Sequence, residues 1–222
     1  MTLALKLRDI GEDIVRCTDR CSGIACDQAK GIFPRGLILE AEEAHGRGAM
    51  IVGMNLGRSD ENERAYYCEN GAAYDSLLAY WSLRARLLPY YTKARALVRA
   101  TGVLGPLLWS DVAKCENALA ASTSPPLQTL RHCSRRFLQR ELAIVPPDWP
   151  IFALGLDAYN ALAYMIPTRS IIGVPHPTGA YGPFAGLWSG GALTFETQRR
   201  IALTRDADDP RAVWLGKVRA GA

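Results

Sequence analysis

Met50-Ile51-Val52-Gly53-Met54-Asn55-Leu56-Gly57 is a short apolar run that ends in a turn carrying one polar side chain. A continuous Met/Ile/Val run bounded by glycines suits a buried parallel strand, and Gly53 and Gly57 let the backbone close around a ligand. Asn55 then projects from the carboxyl end of the strand, where open α/β sheets bind ligands. A second turn of similar chemistry, Val174-Pro175-His176-Pro177-Thr178-Gly179-Ala180-Tyr181-Gly182, follows the apolar run Ser170-Ile171-Ile172-Gly173-Val174.

Outward from these two turns, the remaining chain alternates strand and helix. Leu107 to Val112 and Ile151 to Gly155 read as further core strands, and Leu37 to Glu40 as a short edge strand. Helical spacing covers 2–20, 73–100 with a break at Pro89, 127–145, 157–165 and 194–204. The segment 58–68 is polar and then aromatic, which suits a loop over a pocket. Right-handed crossovers between these strands predict an α/β fold, a three-layer αβα sandwich with a central four-stranded parallel sheet.

With 222 residues, 49% hydrophobic and 22% charged, the chain has material for one packed core and reads as a single domain over 1–222. A net charge of +4 permits a nucleic-acid partner without demanding one. No apolar run reaches the roughly 18 residues of a membrane span, and no amino-terminal signal peptide is visible, so a cytoplasmic monomer away from membranes is expected. In a reducing compartment the six cysteines are more often metal ligands, catalytic groups or buried small hydrophobes than disulfides.

Gly53-Met54-Asn55-Leu56-Gly57, Ser110-Asp111-Val112-Ala113-Lys114-Cys115 and His176-Pro177-Thr178-Gly179, in that order, resemble the uracil-DNA glycosylase superfamily over about Cys17 to Leu203. The first turn is most similar to the Gly-x-Asn-Pro-Gly motif of its mismatch-specific and single-strand-selective members. The middle stretch and Cys133 are more similar to the iron-sulfur members. The resemblance implies a DNA repair enzyme that flips uracil out of DNA and hydrolyses its N-glycosidic bond, leaving an abasic site. The alternative it leaves is a catalytically weak uracil- or lesion-binding DNA protein of the same fold.

The roles it implies follow from the charge that the reaction develops, positive on the sugar and negative on the departing base. His176, as neutral imidazole, would donate to uracil O2, and Asn55 would hold the attacking water through its amide oxygen. Asp60, Glu61 and Glu63 are carboxylates near enough in sequence to assist that water instead. Gly53, Met54, Tyr66, Tyr67 and Asp111 would surround the base, with Tyr66 or Tyr67 stacking on it. Gly57, Thr178, Gly179, Ala180 and Tyr181 would contact the DNA. Cys17, Cys21, Cys115 and Cys133, with Cys26 as an alternative ligand, would hold a structural [4Fe-4S] cluster.

Two positions depart from the family: Leu56 stands where its motif has proline, and Asp111 where iron-sulfur members carry a uracil-reading asparagine. Each residue type also has a plainer use. Asn55 and His176 serve as turn residues, Tyr66 and Tyr67 as packing residues, and Asp111 as a turn cap or a partner of Lys114 that leaves the base to Asn117 or main chain.

Overall fold

The computed structural model describes residues 2–40, 46–71, 73–118, 124–179, 184–205 and 209–216. In chain order the elements are α1 (Leu3–Val15), β1 (Ile24–Ala25), β2 (Ile38–Glu40), β3 (Ala49–Leu56), α2 (Glu61–Asn70), α3 (Tyr74–Leu83), α4 (Pro89–Ala100) and β4 (Leu107–Asn117). They continue with α5 (Leu127–Cys133), a π-helical stretch (Ser134–Leu138), α6 (Gln139–Ile144), β5 (Ile151–Leu154), α7 (Leu156–Met165), β6 (Ile171–Val174), β7 (Trp188–Ser189), β8 (Ala192–Leu193), α8 (Phe195–Ala202) and β9 (Ala212–Trp214).

One mostly parallel sheet, flanked by helices, has the order β1-β4-β3-β5-β6-β9, with β2 paired to β4. Strands β3, β5, β6 and β9 run parallel, and β1 lies antiparallel to β4. The sheet therefore has seven strands where the sequence predicts four. The additional β1 and β9 are two and three residues long, too short to show a period of two.

Two further expectations change. The segment 58–68, read as a loop, is largely helix α2: Asp60 caps it by accepting from the Glu63 amide at 2.8 Å, and Glu61 and Glu63 sit in its first turn, where negative charge favours the helix dipole. Strand β4 does not stop at Val112 but runs on to Asn117, all eleven residues buried, so Lys114, Cys115 and Glu116 are strand residues.

Contacts divide the chain into two compact units, 1–40 with 53–86 and 108–146, and 41–52 with 87–107 and 147–222. In the first, α1 buries Leu7, Ile10, Ile14 and Val15 and packs on α3 and α6. Gly11 belongs to the same face because a side chain there would meet the Tyr74 ring at 2.4 Å. Phe33, Tyr67, Tyr74, Leu77 and Tyr80 form an aromatic core beside it. In the second unit, Met50, Ile51 and Val52 of β3 pair with Ile151, Phe152 and Ala153, and α7 covers β5 and β6. Gly173 lies at the middle of β6 because Tyr159 and Trp214 close over it, at 2.4 and 2.6 Å from where a Cβ would stand.

Among the described residues no helix is long and apolar enough to cross a membrane.

Candidate functional site

In the first unit the carboxyl end of β3 carries Asn55, half-buried, with Nδ2 donating to the Leu56 carbonyl at 2.9 Å. That bond commits the amide nitrogen and leaves Oδ1 as the acceptor. Strand β3 continues through Leu56, whose side chain is buried, so the position at which the family motif has proline is the last residue of a strand here. Gly53 is buried, Met54 half-buried and Gly57 exposed.

A buried ion network holds the backbone after Asn55. Arg35 reaches Glu63 at 2.8 Å and Glu116 at 3.0 Å, and donates to the carbonyls of Phe33 and Gly57 at 3.2 and 3.3 Å. Glu116 Oε1 also accepts from the Ser59 amide at 3.0 Å, and Arg64 donates to Ser59 Oγ at 2.9 Å. The planar guanidinium supplies several donors in one fixed fork, which a lysine does not. Arg35 and Glu116 are functional candidates that the sequence reading passed over. Their one visible signal is charge inside apolar surroundings.

Glu63, offered as a possible water-activating carboxylate, is committed to Arg35 and Tyr67, and burial raises its pKa against the opposing Arg35 charge. Tyr67 is 3% exposed, with Phe33, Tyr66 and Tyr80 rings against it at 6.0, 5.7 and 5.5 Å, and burial then Glu63 push its phenol pKa up. Of the two tyrosines suggested for stacking, Tyr66 is the one with exposed surface.

Asp111 lies inside β4 and is 9% exposed. Its Oδ2 lies where a side chain at position 36 would point: a Cβ on Gly36 would be 2.7 Å from that oxygen and 3.1 Å from Leu56 Cδ2. Gly36 has φ +99°, a second reason for glycine there. Burial pushes the Asp111 carboxyl up to about 7, with Lys114 and Arg35 opposing and Glu141 adding to the shift.

Four of the six cysteines, all in this unit, line one cavity: Cys17, Cys21, Cys115 and Cys133, together with Asp19, His132, Lys114 and Phe137. Burial pushes the Cys133 thiol up to about 11 and raises that of Cys115, and each feels charge on its neighbouring cysteines. The Lys114 amide donates to Cys133 Sγ at 3.2 Å. Cys26 does not line the cavity; its thiol is turned to the Cys17 carbonyl, at 4.0 Å. Among the described residues no three His, Cys, Asp or Glu side chains converge tightly enough for one metal ion. At the same cavity Asp19 joins His132, at 2.7 Å, and Arg136, while Arg140 pairs with Asp13 at 2.8 Å.

In the second unit His176 stands two residues past the end of β6. Its Nδ1 is 3.3 Å from Thr178 Oγ1, and its ring lies against Tyr90 with centroids 5.3 Å apart. Loss of surrounding water lowers its pKa, so the ring is neutral at pH 7. The turn is closed by the Gly179 amide donating to the His176 carbonyl at 3.0 Å and tied to α4 by Lys93, which donates to the Pro177 carbonyl at 3.3 Å. Thr178 and Gly179 are exposed, whereas Ala180 and Tyr181 lie outside the described residues. Tyr90 and Lys93 precede His176 by more than eighty residues, so nothing local in sequence announces them.

No protein-family model matches the chain, and no curated protein matches its sequence significantly.

Proposed function

We propose that this chain is a monofunctional DNA glycosylase of the uracil-DNA glycosylase class, an αβα single domain acting as a monomer. It would flip uracil out of DNA and hydrolyse the N-glycosidic bond to leave an abasic site. The observation that carries the reading is Asn55 near the carboxyl end of β3, its Nδ2 committed to the Leu56 carbonyl and its Oδ1 left as acceptor; His176, taken by itself, is a neutral imidazole two residues past β6. Both strands run parallel to β5, and ligands of such sheets bind past the carboxyl ends.

In this mechanism Asn55 orients water through Oδ1 and leaves its proton in place until the sugar has become cationic. A neutral His176 donates from Nε2 to uracil O2 as that oxygen becomes anionic, with Nδ1 held by Thr178. Tyr66 lies against the flipped base, and Gly57, Thr178 and Gly179 meet the DNA. Cys17, Cys21, Cys115 and Cys133 would hold a [4Fe-4S] cluster whose contribution is structural, pinning the segment before β1 to β4 and α5. Thiols raised by burial lose their protons on ligation, so assembly is easier at higher pH.

Incubation with a uracil-containing oligonucleotide, then alkali, tests the reading. Strand scission at uracil supports it, and retention of intact DNA without scission makes the chain a lesion-binding protein. For the cluster, a freshly purified anaerobic sample that is colourless and free of iron removes the assignment.

A further inference from the structure

Residues 57–60, between the end of β3 and the start of α2, form neither helix nor strand. Nothing lies within 4 Å of where a Cβ on Gly57 would stand, so no side-chain packing holds that residue. Leu56 stands before it where the motif that the turn resembles has proline, whose ring would fix φ. Asn55 nonetheless depends on this backbone. Its Nδ2 donates to the Leu56 carbonyl at 2.9 Å, and the peptide carrying that carbonyl ends at Gly57. A swing of that peptide would turn the amide, and Oδ1 with it.

What grips the segment is charge anchored on β4. Glu116 is a buried residue of that strand, and the Arg35 amide donates to the Lys114 carbonyl at 2.7 Å, so both partners of the ion pair are fixed to it. From there Arg35 Nη2 donates to the Gly57 carbonyl at 3.3 Å, and Glu116 Oε1 accepts from the Ser59 amide at 3.0 Å. Arg35 Nε also reaches Glu63, in the first turn of α2, at 2.8 Å. The backbone is thus held on both sides of Arg58 and again at the helix that follows. A buried ion pair adds little net stability, and apolar residues of similar volume often do as well, so stability alone is a weak reason for this one.

We propose that Arg35 and Glu116 are positioning residues for Asn55: they hold the backbone from Leu56 to Ser59 in the arrangement that keeps Oδ1 aimed at the attacking water, a constraint that proline at position 56 would otherwise supply. This rests on the glycosylase reading above. Neither residue touches substrate. Their effect passes through the Gly57 carbonyl and the Ser59 amide to the peptide that orients the Asn55 amide, and it vanishes when Asn55 has no amide to orient. Lysine cannot stand in for Arg35, since one ammonium does not reach Glu63, Glu116 and Gly57 at once. Misplacing a reacting group by about 1 Å can cost on the order of 100-fold, so loosening this backbone shows in the chemical step and not in DNA binding.

The test is a double-mutant cycle: single-turnover uracil excision by the wild type, Arg35→Lys, Asn55→Ala and the double variant, with DNA affinity measured for each. Arg35→Lys should slow excision by about 10- to 100-fold with DNA affinity unchanged, and on the Asn55→Ala background it should slow it no further. Glu116→Gln keeps the shape and an acceptor for the Ser59 amide but gives up the charge. It should show the same pattern with a smaller loss, and it decides the matter if Arg35→Lys does not fold. Equal slowing in the two backgrounds, slowing matched by weaker DNA binding, or no slowing by either replacement overturns the inference and leaves the glycosylase reading in place. Absence of uracil excision by the wild type overturns that reading, and this inference with it.

Discussion

Lys114 and Glu141 face one another with Nζ 2.7 Å from Oε1, and neither side chain has any exposed surface. The ion pair joins β4 to α6, and Ser110 bridges both ends, donating to Glu141 and accepting from Lys114. Two desolvated charges are tolerable only together, so the pair fixes how α6 seats on the strand more than it adds net stability.

Lys114→Met should therefore destabilise the protein by about 3–5 kcal/mol, because Glu141 is left buried without its counter-charge. The double replacement Lys114→Met with Glu141→Leu should recover most of that loss. Urea unfolding of the single and double variants measures both. Equal destabilisation in the two would mean that lost packing, not an orphaned charge, sets the cost.

Arg35→Lys addresses the backbone that follows Asn55. One ammonium cannot span Glu63, Glu116 and the carbonyls of Phe33 and Gly57 together, so the segment Gly57–Ser59 loses its tether. A hydrogen bond to a charged group contributes about 1.5–3 kcal/mol, so exchange of the Ser59 amide should quicken by roughly tenfold or more. Hydrogen exchange followed by NMR reads this directly. Unchanged Ser59 protection would show that Glu116 holds the loop without Arg35.

The sequence made β3, β5 and β6 plain, because each is an apolar run ended by a turn, and the two strand-end residues Asn55 and His176 came with them. What stayed hidden was non-local. Lys114 and Glu116 lie past Val112, where the sequence reading ends the strand, and their partners Glu141 and Arg35 are 27 and 81 residues away. Helix α2 was masked by its own polarity, although Asp60 and Glu63 stand at the spacing of a capping box and signal a helix start. The cysteine grouping was legible only as a set. That Cys17 and Cys21, not Cys26, share a cavity with Cys115 and Cys133 depends on how β1 and α5 fold back toward β4.

Asp111 also makes stability depend on pH. Its carboxyl is raised from 3.8 to about 7 in the folded protein, so between those values the native state binds the extra proton and stability falls as pH rises. The contribution is complete below about pH 4 and gone above about pH 7. Asp111→Asn, which cannot ionise, should melt at a higher temperature than wild type at pH 8. Near pH 4 that advantage should disappear. Melting curves at the two pH values decide it, and an equal difference at both would mean that Asp111 does not titrate in this window.

Tyr90 and His176 give the last expectation. The tyrosine ring lies against the imidazole at a centroid distance of 5.3 Å, and although His176 keeps exposed surface, partial loss of water lowers its pKa below its ordinary 6.5. Protonation of His176 as pH falls would give the ring a charge but still leave Nε2 as a donor; the cost is the charge placed beside a poorly hydrated aromatic surface. Tyr90→Ala should rehydrate the ring and move its titration up toward 6.5, visible in the imidazole proton resonances by NMR whether or not the protein turns over. His176→Ala should slow uracil excision on the order of 100- to 1000-fold while leaving DNA binding nearly intact, the cost typical of losing one donor to a developing oxyanion. If Tyr90→Ala leaves the imidazole titration where it was, the shielding comes from the turn itself, from Pro175, Pro177 and Thr178, and α4 serves only to anchor it through Lys93.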